Sequence, residues 1–145
     1  MRTRRSTLVA GIALLLMTAL GQPAASAGTR ADAAGSAVAG YTITVYTGNL
    51  PNSGTDAHVF VKFFGTLGSS PTMELDNPGD DFERNSADDY FRTLNDVGTV
   101  NRICLWRDDS GPWDEWNVAW VRINGRIAPF YGWMPAFKWI CRGAS

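Results

Sequence analysis

The chain has 145 residues, with 13 lysines and arginines, 14 aspartates and glutamates and one histidine, so its net charge is −1. This length is enough for one domain with its own hydrophobic core. Because no lysine or arginine cluster is present after the first five residues, the composition argues against nucleic-acid binding, and we expect no nucleic-acid partner.

Residues 1–27 are predicted to be a secretory signal peptide. A basic head with Arg2, Arg4 and Arg5 precedes an apolar run over residues 8–20 and small residues that end at Ala27. The apolar run is short for a bilayer span, and an uncleaved anchor is the alternative. Cleavage removes three of the 13 basic residues and none of the 14 acidic ones, so the mature chain has a net charge of −4. We therefore expect a secreted protein.

Residues 28–40 are small and without period, and are predicted to be a flexible lead-in. Residues 41–46 and residues 59–63 each alternate apolar and polar side chains, which is typical of half-buried strands. The polar loop between them contains Asn52 and Gly54 and ends on Asp56. We expect these two strands to form an opening hairpin.

Short strands separated by glycine, proline and aspartate turns continue along the chain. Asn124-Gly125 is a strong hairpin turn, and the spacing of apolar residues around Trp120 indicates an irregular register. No segment has a convincing helical period. The pattern predicts an antiparallel β-sandwich, with further strands over residues 72–75, 88–94, 99–107 and 116–123, and one or two within 126–140.

Two cysteines, Cys104 and Cys141, remain in a chain bound for an oxidising compartment, so a disulfide between them is favoured. Two buried free thiols are the alternative, because sequence does not show proximity. The lone histidine, His58, and the wide cysteine spacing do not fit a common zinc site. No Gly-x-Ser-x-Gly motif or catalytic triad is evident, so we expect no enzymatic activity.

Three loops are acidic, and alternate connections of a sandwich emerge at the same end. Converging carboxylates and backbone carbonyls are ligands that Ca²⁺ prefers. The alternative is that these carboxylates are ordinary loop residues that face water. The predicted calcium ligands are the carboxylates of Asp56, Asp80, Asp81, Glu83 and Glu115 and the carbonyl oxygens of Asn52 and Gly54.

Six tryptophans are a heavy aromatic load for so small a domain. Trp116, Trp120 and Trp139 are predicted to be core residues. Leu50 and Trp113 lie in loops beside the acidic residues, where apolar tips suit a lipid interface, although Trp113 folded back as a lid is equally compatible. Tyr131 and Trp133 form a second candidate for ligand contact, with the same alternative.

The ordered set of these residues resembles the PLAT domain, the lipoxygenase-homology β-sandwich found in lipoxygenases, lipases, polycystins and bacterial alpha-toxin. The resemblance runs from Tyr41 to about Ile140. It rests on the motifs Tyr41-Thr-Ile-Thr-Val, Gly54-Thr55-Asp56-Ala57, Asp81-Phe82-Glu83-Arg84, Trp116-x-Val118-x-x-Val121 and Met134-Pro135-Ala136-Phe137-Lys138-Trp139-Ile140.

The resemblance implies an eight-stranded antiparallel sandwich of two four-stranded sheets, which we expect over residues 41–142. It implies the same seven calcium ligands, and lipid-inserting side chains near Leu50 and Trp113. The chain departs from the usual pattern at Asn85, at Ala136 and at both cysteines. We expect a stand-alone secreted binding module that docks with Ca²⁺ to a lipid surface or to a protein partner. The alternative is a carbohydrate-binding module that uses Trp113, Tyr131 and Trp133.

Overall fold

A computed structural model describes residues 37–111 and 115–145, and within them the chain forms two antiparallel β-sheets and no helix. The first sheet has the strand order β5-β1-β7-β8. The second is built on the order β3-β2-β6-β9, with β4 also paired to β2. The strands are β1 (Val38–Thr47), β2 (Val59–Gly65), β3 (Gly68–Ser69), β4 (Met73–Leu75), β5 (Ala87–Asn95), β6 (Val100–Arg107), β7 (Trp116–Ile123), β8 (Arg126–Met134) and β9 (Ile140–Gly143).

The predicted sandwich is confirmed, with nine strands where eight were expected. The additional strand arises because Gly68–Ser69 forms a two-residue pairing with the end of β2. β1 begins at Val38, so its first three residues belong to the segment that the sequence suggested as a lead-in. None of the described residues forms a helix long and apolar enough to cross a membrane.

The expected opening hairpin is wrong. β1 pairs with β5 and β7 in one sheet, whereas β2 pairs with β3, β4 and β6 in the other. The loop between them therefore crosses from sheet to sheet over one end of the sandwich. Alternation of apolar side chains indicates which face of a strand is buried, but it does not identify the partner strand.

The core fills the space between the sheets. Ile43 and Val45 of β1, Val61 and Phe63 of β2 and Trp116 of β7 are fully buried. The predicted irregularity in β7 is confirmed. The pairing of β7 with β8 shifts register between Val118 and Trp120, and the pairing of β7 with β1 shifts at the same two residues. Asn124 and Gly125 both have positive φ, as a two-residue type I′ hairpin turn requires.

The predicted disulfide is present. Cys104 and Cys141 face each other across β6 and β9, with their Cα atoms 4.0 Å apart. Of the three tryptophans expected in the core, Trp116 is buried and Trp120 is half-buried. Trp139 is 42% exposed and lies just before β9, so the prediction that it belongs to the core is wrong.

Candidate functional site

Four connections meet at one end of the sandwich, which we call the acidic end. They are residues 48–58, 76–86, 108–115 and 135–139, of which 112–114 are not described. The strand pairing places them together: Val59 at the start of β2 lies opposite both Leu75 and Arg107, the last residues of β4 and β6. The three acidic loops of the sequence therefore lie at the same end.

The first loop is fixed to β7 by buried hydrogen bonds. The Ser53 hydroxyl donates to the carbonyl of Gly48 at 2.5 Å, and the Ser53 carbonyl accepts from the backbone N–H of Asn117 at 3.0 Å. A Cβ atom at Gly48 would lie only 2.3 Å from the Asn117 Oδ1 atom, so a larger residue here would displace the Asn117 side chain. These contacts leave Leu50 exposed at the tip of the loop.

The second loop is held by a buried aromatic ring and by carboxylate caps. Phe82 is buried, and its ring lies 5.0 Å from that of Trp116 and 6.0 Å from that of Tyr90. Asp81 accepts hydrogen bonds from the backbone and side-chain nitrogens of Asn77. The backbone of this loop packs against Gly54 of the first loop, where an added Cβ would lie 3.1 Å from the Phe82 carbonyl oxygen.

The third loop begins with Asp108, whose Oδ1 atom accepts hydrogen bonds from the N–H of His58 and from both the N–H and the hydroxyl of Ser110. Burial opposes ionisation of this carboxyl, but these hydrogen bonds outweigh it and lower its pKa. Farther along, Gly111 approaches Asp56 so closely that an added Cβ would lie 2.9 Å from the Asp56 Cβ atom. The first loop therefore contacts both the second loop and the third.

Two depressions lie between these loops, and Asp56 lines both. One, of about 220 Å³, is lined by Asp56, Asp80 and Asp81. The other, of about 490 Å³, is lined by Asn52, Gly54 and Glu83 as well as Asp56. Glu115 lies apart from them, in a third depression of about 500 Å³ with Arg107 and Trp133. Six of the seven predicted ligands therefore line two adjoining depressions, and the seventh does not.

Three residues of the smaller depression were missing from the predicted ligand set: Glu74, Asp76 and His58. Asp76 follows β4 directly, and Glu74 lies within it. Their positions depend on the pairing of β4 with β2, which the sequence does not reveal. In the sequence, the acidic character of residues 76–85 was the only feature that pointed to additional ligands.

The donor set suits a hard cation, because carboxylate and carbonyl oxygens are what Ca²⁺ prefers. Within residues 37–111 and 115–145, however, no three acidic, histidine or cysteine side chains are grouped tightly enough to hold a metal ion. Burial, with the nearby Asp81 and Asp88 adding to it, raises the pKa of the Tyr90 hydroxyl, which has no partner at good hydrogen-bond geometry among the described residues. The donor chemistry therefore suits Ca²⁺, whereas the described side chains do not by themselves form a coordination sphere.

His58 forms an ion pair with Glu74 at 2.5 Å, on the exposed side of the strand as expected. The hydrogen bond to Glu74 and the nearby charge of Asp108 raise the pKa of His58 above its ordinary value of 6.5. The resulting stabilisation is full below pH 6.5 and is lost as the pH rises through the higher folded-state pKa.

We expect an NMR titration of the imidazole to give a midpoint above 6.5. The Glu74→Gln variant removes the main cause and should bring the midpoint back down. An unchanged midpoint in that variant would show that Glu74 does not hold the proton on His58.

Exposed apolar side chains surround the acidic end. Leu50 and Trp133 are about half exposed, and Tyr131 is 78% exposed on the outer surface of β8. Trp113, the other predicted lipid contact, lies outside the described residues. Phe137, in the connection between β8 and β9, was not singled out from the sequence, yet it is 66% exposed.

Comparison with known proteins gives the same fold. The human lipoxygenase homology domain-containing protein 1 is 35% identical over 86 residues, which cover 57% of this chain and 4% of that protein. The structure of a coral 8R-lipoxygenase, described as showing calcium activation via a C2-like domain, superposes with a TM-score of 0.67 at 30% identity. A calcium-dependent 11R-lipoxygenase superposes with a TM-score of 0.58 at 31% identity.

These two structures align with 74% and 72% of this chain, and this chain covers 17% of each lipoxygenase. The chain thus corresponds to a small part of each of these proteins. The family model for the PLAT/LH2 domain matches residues 41–140, which is most of the sandwich. The chain belongs to the PLAT/LH2 domain family, whose domain is a non-catalytic module.

Proposed function

We propose that this chain is an exported, non-enzymatic module that binds Ca²⁺ at the acidic end and docks there on a lipid surface. The observation that carries the proposal is the position of Asp56, which lines both depressions, contacts Gly111 of the third loop and lies at an end with exposed apolar side chains. Similarity to two lipoxygenases described as calcium-activated or calcium-dependent supports it. A protein surface is the other partner compatible with the same end.

The residues with the clearest role in cation binding are Asp56 and Asp80. Both are exposed, and neither forms a side-chain hydrogen bond within the described residues, so both are available as ligands. Asp81 is already oriented by Asn77. Bound Ca²⁺ would supply positive charge at an end that otherwise repels anionic headgroups.

Calcium binding can be tested by calorimetry on residues 28–145, paired with thermal melts in calcium and in chelator. We expect heat of binding and a higher melting temperature, because an ion that binds only the folded state stabilises it; the gain is about 2.7 kcal/mol at a calcium concentration 100 times the Kd. Asp56→Asn and Asp80→Asn should each weaken both effects.

Asp89→Asn is the matched control. Asp89 lies on the outer face of β5, and its Oδ1 atom accepts a hydrogen bond from Thr44, which an asparagine oxygen retains. This variant removes the same charge away from the loops and should leave calcium binding unchanged. If Asp89→Asn weakens binding as much as Asp56→Asn does, the effect is one of net charge and the proposed site is refuted.

A carbohydrate-binding role is the second candidate, and one observation favours it. Tyr131 has a positive φ of 44° and is 78% exposed beside Trp133, so two aromatic side chains are available for stacking on β8. A polysaccharide pull-down that is lost in Tyr131→Ala but unaffected in Asp56→Asn would favour this role over lipid docking.

Export is proposed from residues 1–27, which lie outside the described residues, and from the disulfide between Cys104 and Cys141. Disulfides persist mainly in oxidising compartments. N-terminal sequencing of the protein from culture supernatant should begin at Gly28. A start at Met1 would refute cleavage.

A further inference from the structure

The connection between β8 and β9 holds an exposed aromatic side chain on an unfavourable backbone. Phe137 has a φ of 56°, in the left-handed region where a Cβ atom crowds the carbonyl and where glycine and asparagine are preferred. A bulky residue in this region is unusual and often marks a functional position.

Burial does not compensate for this backbone cost. The Phe137 ring is 66% exposed, and its one recorded ring neighbour is Trp106, in an edge contact with the centroids 6.0 Å apart. The backbone itself is fixed, because the Phe137 N–H donates a 2.8 Å hydrogen bond to the carbonyl of Arg107. The fold therefore holds the loop in place and leaves the ring in water.

The ring lies at the acidic end. Arg107 is the last residue of β6 and precedes Asp108, which binds the N–H of His58 in the wall of the smaller depression. Pro135, in the same connection, lines the depression that contains Glu115 and Trp133. Phe137 thus projects from the end at which the calcium-binding loops meet.

Two lysines, one beside Phe137 in the chain and one on the outer face of the second sheet, form no salt bridge among the described residues. Lys138 follows Phe137 and is exposed, and Lys62 lies on the outer face of β2, one outward-facing position beyond Phe60, whose ring contacts Trp106. Because these lysines have no carboxylate partner in the part of the chain that the structure describes, their charge is available to an anionic partner at this position.

We propose that Phe137, Lys138 and Trp139 form an anchor for anionic phospholipid membranes, with Phe137 entering the interface. This inference rests on the proposed docking function and assigns a residue and a lipid class to it. A single protruding ring suits the boundary between headgroups and acyl chains. Tryptophan is favoured at the same depth, and a neighbouring lysine can extend to the headgroups.

The decisive variant is Phe137→Asn, because asparagine tolerates the left-handed backbone and lacks the apolar ring. We expect its melting temperature to equal or exceed that of the wild type. Its affinity for vesicles of phosphatidylcholine with phosphatidylglycerol should fall roughly tenfold, as expected for loss of one partly buried aromatic side chain. Lys138→Gln should weaken binding to these vesicles and not to phosphatidylcholine alone.

Phe91→Asn is the matched control, because Phe91 is 71% exposed on the outer face of the other sheet. It should leave vesicle binding unchanged. Equal binding by Phe137→Asn and the wild type would overturn the anchor, and so would a fall in melting temperature in parallel with the loss of binding. If Asp56→Asn leaves binding intact while Phe137→Asn weakens it in both calcium and chelator, the calcium proposal fails and the anchor is supported.

Discussion

Loss of the Cys104–Cys141 disulfide is expected to destabilise the domain by about 3–4 kcal/mol. The two cysteines are 37 positions apart, and a crosslink over a loop of this length restricts the unfolded chain by about that amount. β9 has only four residues and pairs with β6 alone, and the residues that follow it, Ala144 and Ser145, hydrogen-bond to Asn101 and Ile127. The double variant Cys104→Ser/Cys141→Ser should therefore melt roughly 10–20 °C lower than the wild type.

Two measurements test whether the disulfide itself causes this loss of stability. Reductant should lower the melting temperature of the wild type toward that of the double variant and have no effect on the variant itself. Hydrogen exchange in the variant should accelerate more at residues 140–143 than in β6, because the edge strand loses its covalent tie first. A melting temperature within about 2 °C of the wild type would show that the backbone pairing of β9 suffices without the bond.

The sequence predicted the strands well because burial of alternate side chains leaves a clear local pattern. Tyr41, Ile43 and Val45 face the core as their spacing indicates, and Asn124-Gly125 forms the expected turn. Even the bulge near Trp120 was predictable, because apolar residues change face there. Each of these features depends on residues close together in the chain.

Strand partners were not predictable in the same way. The pattern of residues 41–64 is the same whether β1 and β2 pair with each other or lie in opposite sheets, so the expected hairpin was an assumption about proximity. The acidic end depends on that topology. Six of the predicted ligands line adjoining depressions because the two connections that carry them, residues 48–58 and 76–86, both cross between the sheets there, while Asp76 and Glu74 were missed because the pairing of β4 was unknown.

The aromatic side chains show a different limit. Trp139 was expected in the core because tryptophans in strands usually pack inward, but it precedes β9 and is half exposed. Phe82 shows the opposite case: it stands among acidic residues and is buried. Composition around a residue therefore predicted neither position, since both are set by how a loop folds over the end of the sheets.

Phe82→Ala is expected to destabilise the domain by about 3–5 kcal/mol, the usual cost of removing a buried phenylalanine ring. The Phe82 ring packs between Tyr90 and Trp116, and its backbone has a φ of 61°. Alanine carries the same Cβ restriction at positive φ, so the loss would report the missing ring rather than a change in backbone strain. Chemical denaturation of the variant measures this cost directly.

The same change should weaken calcium binding, although Phe82 supplies no ligand. Its neighbours Asp81 and Glu83 line the two depressions, and the buried ring is what ties their backbone to the core. Phe82→Leu retains much of the buried volume and should lose less stability and less calcium affinity. Phe82→Ala could lower stability and leave calcium affinity at the wild-type value. That result would show that the hydrogen bonds of Asn77 to Asp81 position the second loop, and that the buried Phe82 ring stabilises the fold without contributing to calcium binding.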